Sequence, residues 1–343
     1  MKKQIILLCA LALLLLPLSL SAKPFGKVGT VGMQFLKLGV DARAIGMGEA
    51  YTAVSDDISS VYWNPAGLAP SFQNQVFFSH TNWPADIMQE FAAATYTTGV
   101  STFAVFGTVL HMDDMEVTDE DTFGHTGEYF TNSNVALGVN YAQQFTDKFS
   151  AGIGVKYLRE NLFEYDVNSY AFDLGSMYNT GWNNIKIGMA LKNFGPDFRY
   201  RVDNDGDGKI DEDPFDLFDN DGDGLIDEDG PELESKIPMH FSLGVSGDIM
   251  RHDNTYWIAS LQLDNVIDRQ ETWNLGTEYK MGNIFFRAGY QFGYDEASYS
   301  AGAGWQIPTS LGIFNIDYAY TDMGYLTESM LKSAHRVSLK MRY

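Results

Sequence analysis

The chain has 343 residues, 45% hydrophobic and 20% charged, a balance that excludes long-range disorder. Its formal charge of −22 argues against a nucleic-acid partner, because no basic surface is available to displace counter-ions. Cys9 is the only cysteine, which rules out a disulfide framework, a cysteine metal site and thiol catalysis.

Residues 1–22 read as a secretory signal peptide. Lys2 and Lys3 supply a positive start, Ile5 to Leu16 an apolar core, and Ser19-Leu20-Ser21-Ala22 a small-residue cleavage site. Cys9 lies inside the core and is expected to leave with the peptide. Loss of the two lysines takes the net charge from −22 to −24.

Residues 23–72 differ from all that follows. Their centre runs from Gly39 to Asp57 and holds Asp41, Arg43, Gly46, Gly48, Glu49, Asp56 and Asp57. Asn64-Pro65-Ala66-Gly67-Leu68 comes next. The small residues allow close packing, and Asn-Pro followed by Gly favours a turn entering a short helix.

From about Gln75 onward, apolar and small or polar residues alternate with period two. Ile284, Phe286, Ala288, Tyr290 and Phe292 alternate with Phe285, Arg287, Gly289 and Gln291, and Val337, Leu339, Met341 and Tyr343 with Arg336, Ser338, Lys340 and Arg342. The uncharged stretch 91–112 fits two strands around Gly99 better than a membrane-spanning helix. About fourteen such segments follow one another, centred near 79, 93, 106, 138, 154, 173, 189, 244, 260, 276, 288, 302, 315 and 338. Short turns alternate with longer loops at roughly 82–88, 112–131, 159–168, 195–237, 264–270, 293–297 and 321–333. This pattern predicts an all-β fold over residues 73–343, a closed antiparallel barrel with lipid on one face. Short turns would face the periplasm and long loops the exterior, and parity would put both chain ends on the periplasmic side. The competing β-sandwich leaves the loop alternation unexplained.

The Asp41–Ala50 stretch with Asn64–Leu68 closely resembles the N-terminal signature of the PorV/PorQ family, within the wider FadL-like group of outer-membrane barrels. The Asn-Pro-Ala-Gly-Leu element belongs to the wider group, and Asp-Ala-Arg-Ala-Ile-Gly-Met-Gly-Glu-Ala points to PorV/PorQ. The resemblance implies a fourteen-stranded barrel whose N-terminal segment folds into the lumen as a small plug. It also implies a bacterial outer-membrane location, contact with lipid, and partners among secretion machinery and exported cargo proteins of type IX secretion. FadL-like relatives instead pass hydrophobic small molecules. Arg43, Asp56 and Asp57 either serve such a function or only satisfy one another in a polar lumen.

An acidic insertion interrupts the barrel at 195–237. Asp203, Asp205, Asp207, Asp211 and Asp213 recur sixteen residues later as Asp219, Asp221, Asp223, Asp227 and Asp229, with both glycines and an isoleucine in step. Carboxylates at alternate positions followed by Gly supply hard oxygen ligands, so Ca2+ is the expected cofactor. Pro214 and Gly230 stand where an EF-hand has its bidentate Glu. The copies are more similar to compact aspartate-rich calcium repeats, and a solvated acidic loop is the alternative.

The six histidines are scattered, and neither a nucleophile elbow nor a phosphate-binding loop is present. The expected function is therefore non-enzymatic: secretion or surface attachment of exported proteins. The alternative is a FadL-type channel for hydrophobic compounds, and a third reading gives the acidic loop contacts outside the cell.

Overall fold

A computed structural model describes residues 29–71, 73–84, 86–118, 126–127, 129–162, 165–200, 233–294, 299–323 and 333–343. The expected signal peptide and all ten aspartates of the acidic repeats lie outside these residues.

Period-two alternation becomes a wall. The barrel strands are β1 (Gln75–Asn82), β2 (Ile87–Thr98), β3 (Ser101–Met112), β4 (Asn132–Thr146), β5 (Phe149–Leu162), β6 (Tyr165–Asn179) and β7 (Lys186–Phe194). The circuit continues with β8 (His240–His252), β9 (Thr255–Val266), β10 (Thr272–Met281), β11 (Ile284–Phe292), β12 (Tyr299–Thr309), β13 (Gly312–Thr321) and β14 (Ala334–Arg342). Each pairs antiparallel with the next, and β14 closes on β1, with Val76 opposite Met341 and Asn82 opposite His335. Closure leaves no unpaired edge, which a hydrocarbon surround demands.

The two faces sort as the alternation requires. Phe78, Leu137, Ile153, Phe286 and Leu339 point outward and are exposed, whereas Ser79, Asn140, Gln262 and Ser338 point inward and are buried. Among the described residues no helix is long and apolar enough to cross a membrane. The uncharged stretch 91–112 is two strands, turning at Gly99 with φ +57°.

Two expectations need correction. The loop expected at 159–168 is mostly strand, because β5 runs to Leu162 and β6 starts at Tyr165. Polar residues break the apolar row there, yet they pair across the strands: Arg159 Nε donates to Asp166 at 3.2 Å, and Tyr157 donates to Asn168. The first described residues are also not at the short-turn end, where parity would put the start of the chain. β1 starts and β14 ends there, but the described N-terminal residues begin at the long-loop end, where Gly32 N–H donates to the Lys236 carbonyl at 3.1 Å.

From that end residues 33–69 run down inside the barrel. They hold two short helices, α1 (Ala42–Gly46) and α2 (Ser60–Trp63), and 3-10 turns at Gln34–Lys37 and Pro65–Ser71. Helices of five and four residues do not persist alone, so their stability comes from packing on the wall. Val40, Ile58, Val61 and Leu68 pack on Phe77, Phe91 and Phe106, while Ala42, Ile45 and Val54 form another cluster with Ile258 and Ala319.

Candidate functional site in the barrel lumen

An irregular backbone inside a barrel must find partners for every N–H and C=O. The wall supplies them from inward polar side chains. Ser338 Oγ accepts from Ala42 N–H at 2.9 Å, Gln262 Oε1 from Thr52 N–H at 2.8 Å, and Gln75 Oε1 from Ile58 N–H at 3.2 Å. Asn140 Nδ2 donates to the Val61 carbonyl at 2.8 Å, and Ser150 Oγ to that of Ala66 at 3.0 Å.

Close approach is bought by glycine, in three pairs that face each other across neighbouring strands. Gly152 lies opposite Gly175, Gly188 opposite Gly244, and Gly276 opposite Gly289. Each pair seats one stretch of the segment. A Cβ on Gly152 would stand 2.5 Å from the Pro65 carbonyl carbon, one on Gly188 2.5 Å from the Thr52 oxygen, and one on Gly289 2.0 Å from the Gly48 nitrogen. Gly46 rests in the same way on Gly302, 3.1 Å from where its own Cβ would be. Gly48, with φ +62°, needs its lack of a side chain twice, for backbone and for space.

Asn64 joins segment to wall. It is fully buried, and its Nδ2 donates to Thr52 O at 3.0 Å and to Ser176 O at 3.1 Å. Its Oδ1 accepts from Ala66 N–H at 3.2 Å, which fixes the turn that Pro65 begins. Gly67 lies where a Cβ would meet Ser55 and Ser60 at 2.6 Å.

The charged residues form one connected network. Asp41 caps α1, accepting from Arg43 N–H at 3.2 Å, and also takes Lys340 Nζ at 2.8 Å. The Arg43 guanidinium reaches Asp56 at 2.6 Å, Asp57 at 3.2 Å and the Tyr51 hydroxyl at 2.9 Å, and makes a two-point contact with Glu278. Glu278 is shared with Arg287 at 2.6 Å, and Arg287 reaches Asp317 at 2.7 Å. Lys340 returns to Asp57 at 2.7 Å. Burial raises the Asp57 carboxyl, but Lys340 and Arg43 outweigh it and hold it far below the usual carboxylate range. Burial likewise opposes the Arg43 charge and is outweighed by Asp56 and Glu278.

Glu49 stands apart from this network. Its backbone is left-handed, φ +64°, and its side chain faces the long-loop half of the lumen. Burial, then Asp264, pushes its carboxyl up. The structure thus draws Asp41, Arg43, Asp56 and Asp57 into one cluster, Gly46, Gly48, Asn64, Pro65 and Gly67 into packing seats, and leaves Glu49 separate.

Glu278, Arg287, Asp317 and Lys340 were not singled out from the sequence. Their signal was a charge in the small, inward-facing row of an alternating strand, as at Arg287 beside Gly289. A cavity of about 110 Å³ at the short-turn end is lined by Arg43, Asp56, Lys186, Asp248 and Arg251. One of about 20 Å³ beside Phe35, Tyr62 and Phe91 has room for about one water. Among the described residues no cluster of three or more His, Cys, Asp and Glu is disposed to hold a metal.

A closed fourteen-stranded barrel with a segment packed in its lumen is a fold with solved counterparts. Its fold is similar to the Pseudomonas putida toluene transporter TodX, with TM-score 0.56 and 12% identity over 88% of this chain and 96% of that one. The CymD monoaromatic hydrocarbon channel gives 0.56 and 11% over 89% and 98%, and a Pseudomonas aeruginosa FadL homologue 0.50 and 14% over 89% and 98%. No curated protein matches the sequence. The model of the family "Type IX secretion system protein PorV" matches residues 22–219, and the chain belongs to that family. It is a bacterial outer-membrane barrel of type IX secretion.

Proposed function

We propose that this barrel works in type IX secretion as a locked scaffold, receiving exported proteins or attaching them at the cell surface without conducting through its lumen. Family membership supports the secretion role. The observation that favours a locked lumen is the Arg43–Glu278 network, which ties the segment directly to Glu278 and Lys340 of the wall and through Glu278 to Arg287 and Asp317. Its working surfaces are then the outer loops and the lipid-facing wall, its partners are secretion machinery and cargo, and it carries no catalytic role.

The competing reading is uptake of hydrophobic small molecules, which the fold likeness to the toluene transporter supports. Hydrocarbon passage would require residues 33–69 to leave a set of close glycine seats and buried ion pairs. Deleting the gene and comparing the secreted proteome separates the two. Exported proteins should disappear from the surface while growth on hydrophobic compounds is unchanged; the opposite pattern would establish the channel.

A further inference from the structure

The Arg43–Glu278 network holds the luminal segment from Asp41 onward and does not include its entry. Residues 31–36 are held by the root of the acidic insertion. There two short strands, Phe198–Tyr200 and Leu233–Ser235, pair antiparallel as a stem, with Phe198 opposite Ser235 and Tyr200 opposite Leu233. Val31 bridges to Lys236 just past this stem, and Gly32 N–H donates to the Lys236 carbonyl at 3.1 Å. The Phe198 and Tyr200 rings meet edge to face, 5.3 Å between centres. Both lie on Gly32, where a Cβ would stand 2.4 Å from the Tyr200 hydroxyl oxygen and 2.6 Å from the Phe198 ring.

One carboxylate joins wall, segment and insertion. Glu160, on β5 and 7% exposed, accepts at the same Oε2 from Met33 N–H at 3.0 Å and from the Tyr200 hydroxyl at 2.6 Å. A buried carboxylate needs such donors, and hydrogen bonds to a charged oxygen are the strong ones. Met33 is fully buried with φ +50°, a left-handed backbone that a residue with a side chain keeps only where its surroundings hold it. Met33, Phe35 and Leu36 of the segment share one apolar cluster with Leu158 of the wall and with Phe198 and Ile237 of the insertion. Farther along, Lys37 turns to Asp268 at 2.9 Å. The stem therefore cannot leave its place without uncovering Gly32 and taking a donor from Glu160.

We propose that the stem of the acidic insertion is a strap across the entry of the luminal segment, so that folding of the stem and seating of residues 31–36 are coupled. Coupling of this kind is reciprocal. An event on the insertion that orders or loosens the stem does the same to the entry, and the entry acts back on the stem. The insertion is thereby joined to the lumen rather than appended to the rim. The strap uses none of the Arg43–Glu278 network and does not rest on the secretion role, so either can fail without the other.

The test is hydrogen–deuterium exchange of the full chain in detergent, followed in peptides covering residues 30–36, 41–57, 197–200 and 233–237. Wild type should exchange slowly at 30–36. Tyr200→Phe removes the hydroxyl from Glu160 and keeps the ring, whereas Gly32→Ala pushes Phe198 and Tyr200 away. Each should raise exchange about tenfold at 30–36 and in both stem peptides, with 41–57 unchanged. Replacing residues 201–232 with Asn-Gly keeps the stem and should keep wild-type exchange at 30–36. Heat-modifiable mobility on gels verifies assembly, and should Gly32→Ala not assemble, Tyr200→Phe decides alone. Unchanged exchange at 30–36 in the assembled variants overturns the strap. So does an equal rise at 41–57, which would mean that the segment opens as one body. Fast exchange at 30–36 in wild type, or loss of protection there on replacing 201–232, overturns it too.

Discussion

Arg43 and Glu278 meet across the boundary between luminal segment and barrel wall, with Nε and Nη2 each 2.9 Å from a carboxylate oxygen. They are 235 residues apart in sequence, so this contact exists only once β10 is in place. A two-point Arg–carboxylate contact fixes orientation as well as distance.

Removing one partner should therefore free the segment. Arg43→Ala leaves Glu278 with Arg287 and Tyr256, and Asp57 with Lys340, so the barrel itself should assemble. The anchorage should weaken by about 3 kcal/mol, the usual cost of breaking a buried pair. Faster protease cleavage within residues 33–69 and raised conductance in planar bilayers are the expected readouts. A cycle with Glu278→Gln should show coupling of about 2 kcal/mol. Additive effects would mean that the contact does not hold the segment.

The glycine seats make a steric prediction. Gly289→Ala places a methyl 2.0 Å from Gly48 N and 2.3 Å from the Met47 carbonyl carbon, both backbone atoms with nowhere to move. It should loosen the segment by about 1–3 kcal/mol. Ala303→Val, on the exposed outer face two residues from Trp305, should cost almost nothing. Protease access to residues 33–69 in both variants provides the comparison.

Acid should not release the segment at ordinary carboxylate pH values. Asp57 is held below its unfolded value of about 4, so the stability it supplies is fully present above that pH. It is lost only as pH falls further, toward the depressed folded value. Asp57→Asn should remove this dependence. Protection of the segment should persist at pH 4 in the wild type and be weaker in the variant at pH 7. Equal protection in both at pH 7 would contradict the assignment.

The start of the described chain should be reachable from outside. Thr30 is exposed at the long-loop end, next to the strand bridge between Val31 and Lys236. With Cys9 the only native cysteine, Thr30→Cys should react with a membrane-impermeant maleimide on intact cells. Asn254→Cys, in the short turn between β8 and β9, should react only after lysis. Labelling of Asn254→Cys alone would invert the orientation.

The strands were legible because lipid and lumen impose opposite demands on alternate residues. All fourteen expected centres fall inside barrel strands. The facing ends of β5 and β6 were read as loop because Arg159 and Asp166 look like loop residues until they are seen paired across the ladder. The lumen was less legible. Arg43 and Asn64 stand out by motif, whereas Glu278, Asp317 and Lys340 declare themselves only through partners far away in sequence. The opposed glycine pairs need strand register, which periodicity alone does not supply. The N-terminal direction was misjudged because parity counts strands and says nothing about a segment inside them.

The acidic repeats carry a proposal from sequence. Asp203–Asp213 and Asp219–Asp229 belong to a stretch, 203–234, with fifteen acids and one base, and we propose that it holds Ca2+. Calorimetry on a 200–235 peptide should show weak, calcium-dependent heat, and calcium should slow proteolysis of this loop in the full chain. No heat at millimolar calcium with unchanged proteolysis would leave an acidic linker.

The most direct test of a locked lumen is to fasten it. Ala42 N–H already lies 2.9 Å from Ser338 Oγ, so Ala42→Cys with Ser338→Cys places two thiols at the boundary of segment and wall. Secretion of exported proteins is then measured in cells with the pair oxidised and after reduction. Wild-type secretion in both states is the predicted result. Secretion that stops on oxidation and returns on reduction would show that the segment must move, and would contradict the account.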